Sequence, residues 1–175
     1  MLIAHAPAGY IVSRLLAPHF EARGASYRAF VCWGMLGAVA PDLDLLWYLL
    51  VDHRQHNHHD YLTHWPIVWL LAMALSLAWM RRRPAAGALA FSFSLGGFSH
   101  MILDTVVGGI CWFAPFSDQR YVIANPTPDF LALWWFYFLF HWSFKLELGI
   151  TLAAFVYWLK PRHPRSDKAV HARRP

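Results

Sequence analysis

Four apolar stretches, residues 30–51, 64–80, 85–113 and 131–159, constrain this chain more than any other feature. Each is near or above the ~17–25 residues that cross a bilayer as a helix. Backbone N–H and C=O groups inside hydrocarbon must be satisfied internally, and runs of this length do so as helices. A shorter stretch, residues 2–18, contains His5 and Arg14. It reads as a fifth helix or as a segment lying in the interface. Composition agrees: 58% of the 175 residues are hydrophobic and 14% are charged, against about 45–50% and about 25% in soluble domains. That balance excludes an ordinary soluble enzyme and a disordered chain. The expected fold is all-α, a polytopic membrane bundle of four or five transmembrane helices. One membrane-embedded domain is expected over 1–160, followed by a basic cytoplasmic tail over 161–175.

The basic residues give an orientation. Arg14, Arg23 and Arg28 precede the first long stretch, Arg81, Arg82 and Arg83 follow the second, and a basic tail begins at Lys160. In a four-span arrangement these fall on one side, whereas the loops 52–63 and 114–130 hold only Arg54 and Arg120. The positive-inside rule makes the arginine-rich side cytoplasmic, with the C-terminus on it, in a bacterial inner membrane. Cys32 and Cys111 both lie in apolar runs, so no disulfide framework is expected.

Ionisable side chains are expensive inside a membrane and by default mark function. Asp42 and Asp44 interrupt the first stretch, His100 and Asp104 the third, and His141, Lys145 and Glu147 the fourth, while His59 and His64 stand where the second begins. Counted from the cytoplasmic ends at ~1.5 Å per residue, Asp42 and Asp44 lie roughly 18 and 21 Å deep, and His100 and Asp104 roughly 22 and 28 Å. Glu147, Lys145 and His141 lie roughly 18, 21 and 27 Å deep, and His5, if residues 2–18 are helical, roughly 21 Å. Nearly all the buried polar groups therefore fall in one slab of the outer half.

His100 and Asp104 are four residues apart and share one helical face. Asp42 and Asp44 point to different sides of a regular helix, but Pro41 breaks the ladder beside them and can turn both inward. Imidazole and carboxylate without thiolate suit zinc, manganese or iron. A site of that kind lowers the pKa of bound water for hydrolysis, and a pair of ions clamps the oxygens of a phosphoester. His53, His56 and His58 read as a solvated polar loop. Thr63 reads as the N-cap of the helix that Pro66 opens.

The ordered set His5, Gly37-Ala38-Val39-Ala40-Pro41-Asp42-Leu43-Asp44, His59-Asp60-Tyr61-Leu62-Thr63-His64, His100-Met-Ile-Leu-Asp104, Gly108-Gly109 and Pro115-Phe116-Ser117 resembles the LexA-regulated inner-membrane metal-dependent hydrolase family, also called YdjM-like, over roughly residues 1–118. The order His, Asp, His, then His-x-x-x-Asp is more distantly similar to zinc-dependent phospholipase C and the S1/P1 nucleases. The resemblance implies His5, Asp42, Asp44, His59, His64, His100 and Asp104 as metal ligands, with Asp42 or Asp44 also catalytic as general base or water-orienting group. It implies one or two divalent ions, zinc first, with manganese or iron as alternatives. This chain has Asp60 where the family pattern carries Arg and Trp65 where it carries Ser. Arg54, Arg120 or Lys145 then supplies the missing cation, or the substrate differs.

The expected function is a membrane-bound metal-dependent hydrolase acting on an ester or phosphoester of a lipid or lipid-linked substrate, with the bilayer as partner and no nucleic acid. The alternative is a metal-handling or transport protein that captures ions on its His-rich outer loop. A haem-binding anchor using two of His5, His64, His100 and His141 is a further rival.

Overall fold

The computed structural model describes Met1 and residues 3–124 and 139–161, and within these six α-helices carry the fold. They are α1 (His5–Glu21), α2 (Tyr27–Val39), α3 (Asp44–Leu50), α4 (Pro66–Met80), α5 (Pro84–Val107) and α6 (Trp142–Leu159). Short 3-10 turns at Pro41–Leu43, His58–Asp60 and Leu62–His64 join them. Among the described residues the single β feature is a bridge between Ile110 and Tyr121. The start of the fourth apolar stretch, residues 131–138, and the basic tail from 162 lie outside the described residues.

The all-α expectation holds, but the apolar stretches do not map onto continuous spans. Among the described residues only α5, at 24 residues, is long and apolar enough by itself to cross a membrane. Pro41 withholds an N–H from the ladder, and the first stretch bends by 50° between Tyr27–Val39 and Pro41–Leu50. It makes a second span only if the bent pair counts as one. In the second stretch His64 closes a 3-10 turn and Trp65 is extended, so α4 keeps 15 residues from Pro66. Residues 5–18 fall within α1, which contacts α2, α5 and α6.

Small residues bring α1, α2 and α5 together at backbone range. A Cβ added at Gly37 would lie 1.9 Å from the Phe93 carbonyl oxygen, and one at Gly96 would lie 2.1 Å from the carbonyl oxygen of Gly34. Side-chain-free contact of this kind is how helices associate where no hydrophobic drive separates them from lipid. At one end Phe30, Val31, Met80 and Ala88 form a core, with the Phe20 and Phe30 rings stacked at 4.8 Å. Trp69, Met101 and Ile110 form a second, smaller core toward the other end. The outward faces of α4 and α6 are apolar, with Leu71, Leu75, Leu152 and Phe155 each more than half exposed.

Two clamps hold α1 parallel to α6. Arg14 is buried and donates to the carbonyls of Tyr157 and Lys160 at the C-terminal end of α6, with its guanidinium 4.2 Å from the Tyr157 ring centroid. A cation on terminal carbonyls also suits the negative end of the helix dipole. At the opposite end Glu147, fully buried, accepts from the backbone N–H groups of Ile3 (2.6 Å) and Ala4 (3.2 Å). Ala4 is the N-cap of α1, and its N–H is among the groups that a helix start leaves without intrahelical partners.

Candidate metal centre

The end of the bundle that Glu147 secures is where the polar side chains meet. His100 and Asp104, one turn apart on α5, are 0% and 2% exposed, and Nε2 of His100 lies 3.0 Å from Oδ2 of Asp104. The His5 ring from α1 stacks on His100 at 3.7 Å. Its Nε2 lies 3.2 Å from Oδ1 of Asp104 and 2.8 Å from the Met1 carbonyl, and the Met1 ammonium contacts the same Asp104 oxygen. His59 and His64 arrive on the two 3-10 turns, with Nε2 atoms 3.4 and 3.9 Å from Oδ2 of Asp104. Asp42, on the turn that Pro41 opens, lies 3.6 Å from Nε2 of His100 and 3.9 Å from Nε2 of His64. Its side chain is 32% exposed, so this is the edge of the site that reaches the surface.

Three imidazoles are fixed from behind. Nδ1 of His100 donates to the Ala38 carbonyl (2.8 Å), Nδ1 of His59 to the Gly108 carbonyl (2.6 Å), and Nδ1 of His64 to Oδ2 of Asp44 (2.8 Å). A carbonyl oxygen or a carboxylate only accepts, so Nδ1 carries the proton and Nε2 keeps a lone pair. The helix ends supply two of these acceptors: α2 stops at Val39 and α5 at Val107, leaving last-turn carbonyls without their intrahelical donors. The His59 ring also requires glycine at 108, where a Cβ would lie 2.3 Å from its Cε1.

Nε2 of His64 and Nε2 of His100 are buried and have no hydrogen-bond partner. Asp104 is near enough to His100 but off the bonding direction. Two orphaned acceptors facing two carboxylates call for a positive group between them, since buried polar atoms are otherwise satisfied. The ligating atoms of Asp42, His64, His100 and Asp104 all lie within 4.8 Å of one another, as do those of His58, His59 and His64. The residues present therefore fit a divalent cation. His64 is common to both groups and has one free nitrogen, so the two positions are not independent.

The seven residues singled out in the sequence reach one place, in different roles. Asp42, His64, His100 and Asp104 form the tightest group and His59 the adjoining one. His5 stacks on the centre without joining either group. Asp44 stands behind His64 instead of facing the cavity, and it accepts in addition from the Thr63 hydroxyl. Thr63 accordingly does not cap α4, whose N-cap position is Trp65. His58 is half-buried, with its ring 4.1 Å from His59 and 5.3 Å from His64. Its sequence context reads as loop solvation, and its adjacency to His59 is the signal that points to the site. His141 caps α6 by accepting from the Ser143 N–H, and Lys145 is exposed on α6. Of the three spare cations, Arg120 is the one at Asp60, to which its Nη2 donates.

In the loop leading to the site, the backbone and ring of His56 hold the Asp52 carboxyl down to about 2. Burial, then the neighbouring His59 and His64, lowers the His58 imidazole to about 4. A base whose folded pKa falls from about 6.5 binds fewer protons folded than unfolded between about pH 4 and 6.5. Stability contributed there is complete above about 6.5 and is lost as the pH falls toward 4. The melting temperature of the metal-free protein is expected to rise from pH 4 to 6.5, and the rise to flatten in His58→Asn. An unchanged slope in that variant would refute the assignment.

The helical bundle turns leucines outward and gathers inward a histidine–aspartate cluster that could hold a metal ion. The family model for the YdjM inner membrane protein matches residues 1–163, and the chain belongs to that family. No curated protein and no solved structure matches it.

Proposed function

We propose that this chain is a multi-pass inner-membrane hydrolase, with its C-terminus cytoplasmic and a divalent ion, zinc before manganese or iron, held by Asp42, His64, His100 and Asp104. The LexA-regulated setting and the chemistry similar to zinc-dependent phospholipase C belong to the same reading. The observation that carries it is the pair of buried, unsatisfied Nε2 atoms on His64 and His100, facing Asp42 and Asp104. A bound ion would supply Lewis-acid polarisation and an acidified water. Asp42, the carboxylate nearest the surface, is placed to take a proton from an incoming water. Ala38 and Asp44 keep His100 and His64 in the ligating tautomer. The substrate is an ester or phosphoester of a lipid or lipid-linked molecule, entering from the membrane side, and nucleic acid is not a partner.

The test is hydrolysis of phospholipid in vesicles by the detergent-purified protein, with metal content measured by plasma mass spectrometry. Turnover is expected with one or two ions bound per chain, and the loss of both in His100→Ala. Stoichiometric metal with no hydrolysis of any phospholipid would favour the second reading, a metal-handling protein. The His58, His59 and His64 group beside the outer loop supports that alternative.

A further inference from the structure

The loop after α5 carries a second set of features beside the metal centre. Ile110 and Tyr121 exchange both backbone hydrogen bonds (3.1 and 2.9 Å), folding the loop back on itself. Gly109 permits this with φ +72°, a left-handed conformation that favours glycine. The fold-back sets Arg120 against Asp60, the neighbour of His59. The Arg120 side chain is 37% exposed and gives Nη2 to Asp60, which leaves its other guanidinium N–H groups outside that pair.

Tyr121, next to Arg120 in the chain, lines an apolar groove of about 580 Å³, within the about 300–1,000 Å³ of small-molecule sites. Pro66, Ile67, Leu70, Trp112, Phe116 and Tyr121 line it, and no charged side chain does. The Trp112 indole is held by a bond from Nε1 to Oγ1 of Thr105 (2.9 Å). The groove wall is thus tied to the residue next to Asp104, and its floor starts two residues after His64.

We infer that Arg120 and this groove form one binding site for an anionic phospholipid, with the phosphate on the guanidinium and an acyl chain in the groove. Charge complementarity at one end and an uncharged, aromatic-walled trough at the other match an amphiphile rather than a free anion. The guanidinium fork suits phosphate oxygens. An inner membrane presents such a lipid at high local concentration. The inference rests on the hydrolase reading for its chemical meaning, because it names the lipid that the centre meets. The binding itself is tested apart from turnover.

The experiment is native mass spectrometry of the full chain in detergent, titrated with dioleoyl-phosphatidylglycerol, dioleoyl-phosphatidylcholine or inorganic phosphate. Phosphatidylglycerol is expected to bind tightest and inorganic phosphate not at all. Arg120→Gln should weaken phosphatidylglycerol about tenfold, to the level of phosphatidylcholine. Ile67→Trp, which fills the groove, should weaken both lipids, with Leu70→Phe as the milder replacement if it misfolds. Both sites of change should leave bound metal and melting temperature at wild-type values. Wild-type lipid binding in Arg120→Gln and in the groove variants would overturn the inference, as would inorganic phosphate competing at the lipid's own affinity. Lipid bound as described but never cleaved would sink the hydrolase reading and leave this site standing.

Discussion

Asp104→Asn is expected to empty the metal centre. The carboxylate is 2% exposed and is faced by Nε2 of His5, His59 and His100 at 3.2, 3.4 and 3.0 Å, with His64 at 3.9 Å. Four histidines from α1, α5 and the two 3-10 turns thus meet on one carboxylate. The amide keeps the shape and one oxygen but removes the charge that balances a cation in a buried setting. Losing a group that merely orients a ligand lowers metal affinity about 10–100-fold, so losing this one should exceed about 100-fold. Plasma mass spectrometry after dialysis against a weak chelator reads the effect directly. Stoichiometric metal in dialysed Asp104→Asn would mean that the ion, if any, sits elsewhere, and the assignment of the centre would fall.

The second large effect is expected outside the ligand group, at Glu147, which binds the backbone just before His5. Its carboxylate satisfies the N–H groups of Ile3 and Ala4 from the middle of α6. Glu147→Ala leaves the buried Ala4 N–H and the part-buried Ile3 N–H without that acceptor and opens a gap between α1 and α6. At about 1–3 kcal/mol for each stranded group, a total near 3 kcal/mol is expected, or roughly 6–12 °C in melting temperature. Glu147→Gln retains an acceptor oxygen and should lose less than half as much. Metal should be retained in both variants, though held less tightly where the His5–His100 stack loosens. Equal melting temperatures for Glu147→Ala and wild type would show that the clamp contributes nothing.

What the sequence made legible is what depends on local spacing. His100 and Asp104 share a face because helical periodicity demands it, and Pro41 signals its own break. Depth counting placed the polar groups in one layer, and His5, Asp42, His59, His64, His100 and Asp104 do converge. Spacing could not separate Asp42 from Asp44. The first turns toward the cavity and the second toward Nδ1 of His64, a distinction set by the 3-10 turn between them. Nor could it find the Ala38 and Gly108 carbonyls, since every residue carries one and only the packed helix ends say which are available. The four or five spans are not confirmed among the described residues for a related reason. Apolar runs register composition, whereas a proline within a run or an extended residue at its edge decides how much of it is helix.

The close approach of α2 to α5 at Gly37 and Gly96 has a consequence for anyone who would move this centre into another scaffold. His100 takes its orientation from a main-chain oxygen of the neighbouring helix, so the motif is not portable as a string of side chains. A designed bundle with ordinary spacing would carry every ligand and still leave that ring free to turn. The transplantable unit is an interhelical distance, and two missing methyl groups write it.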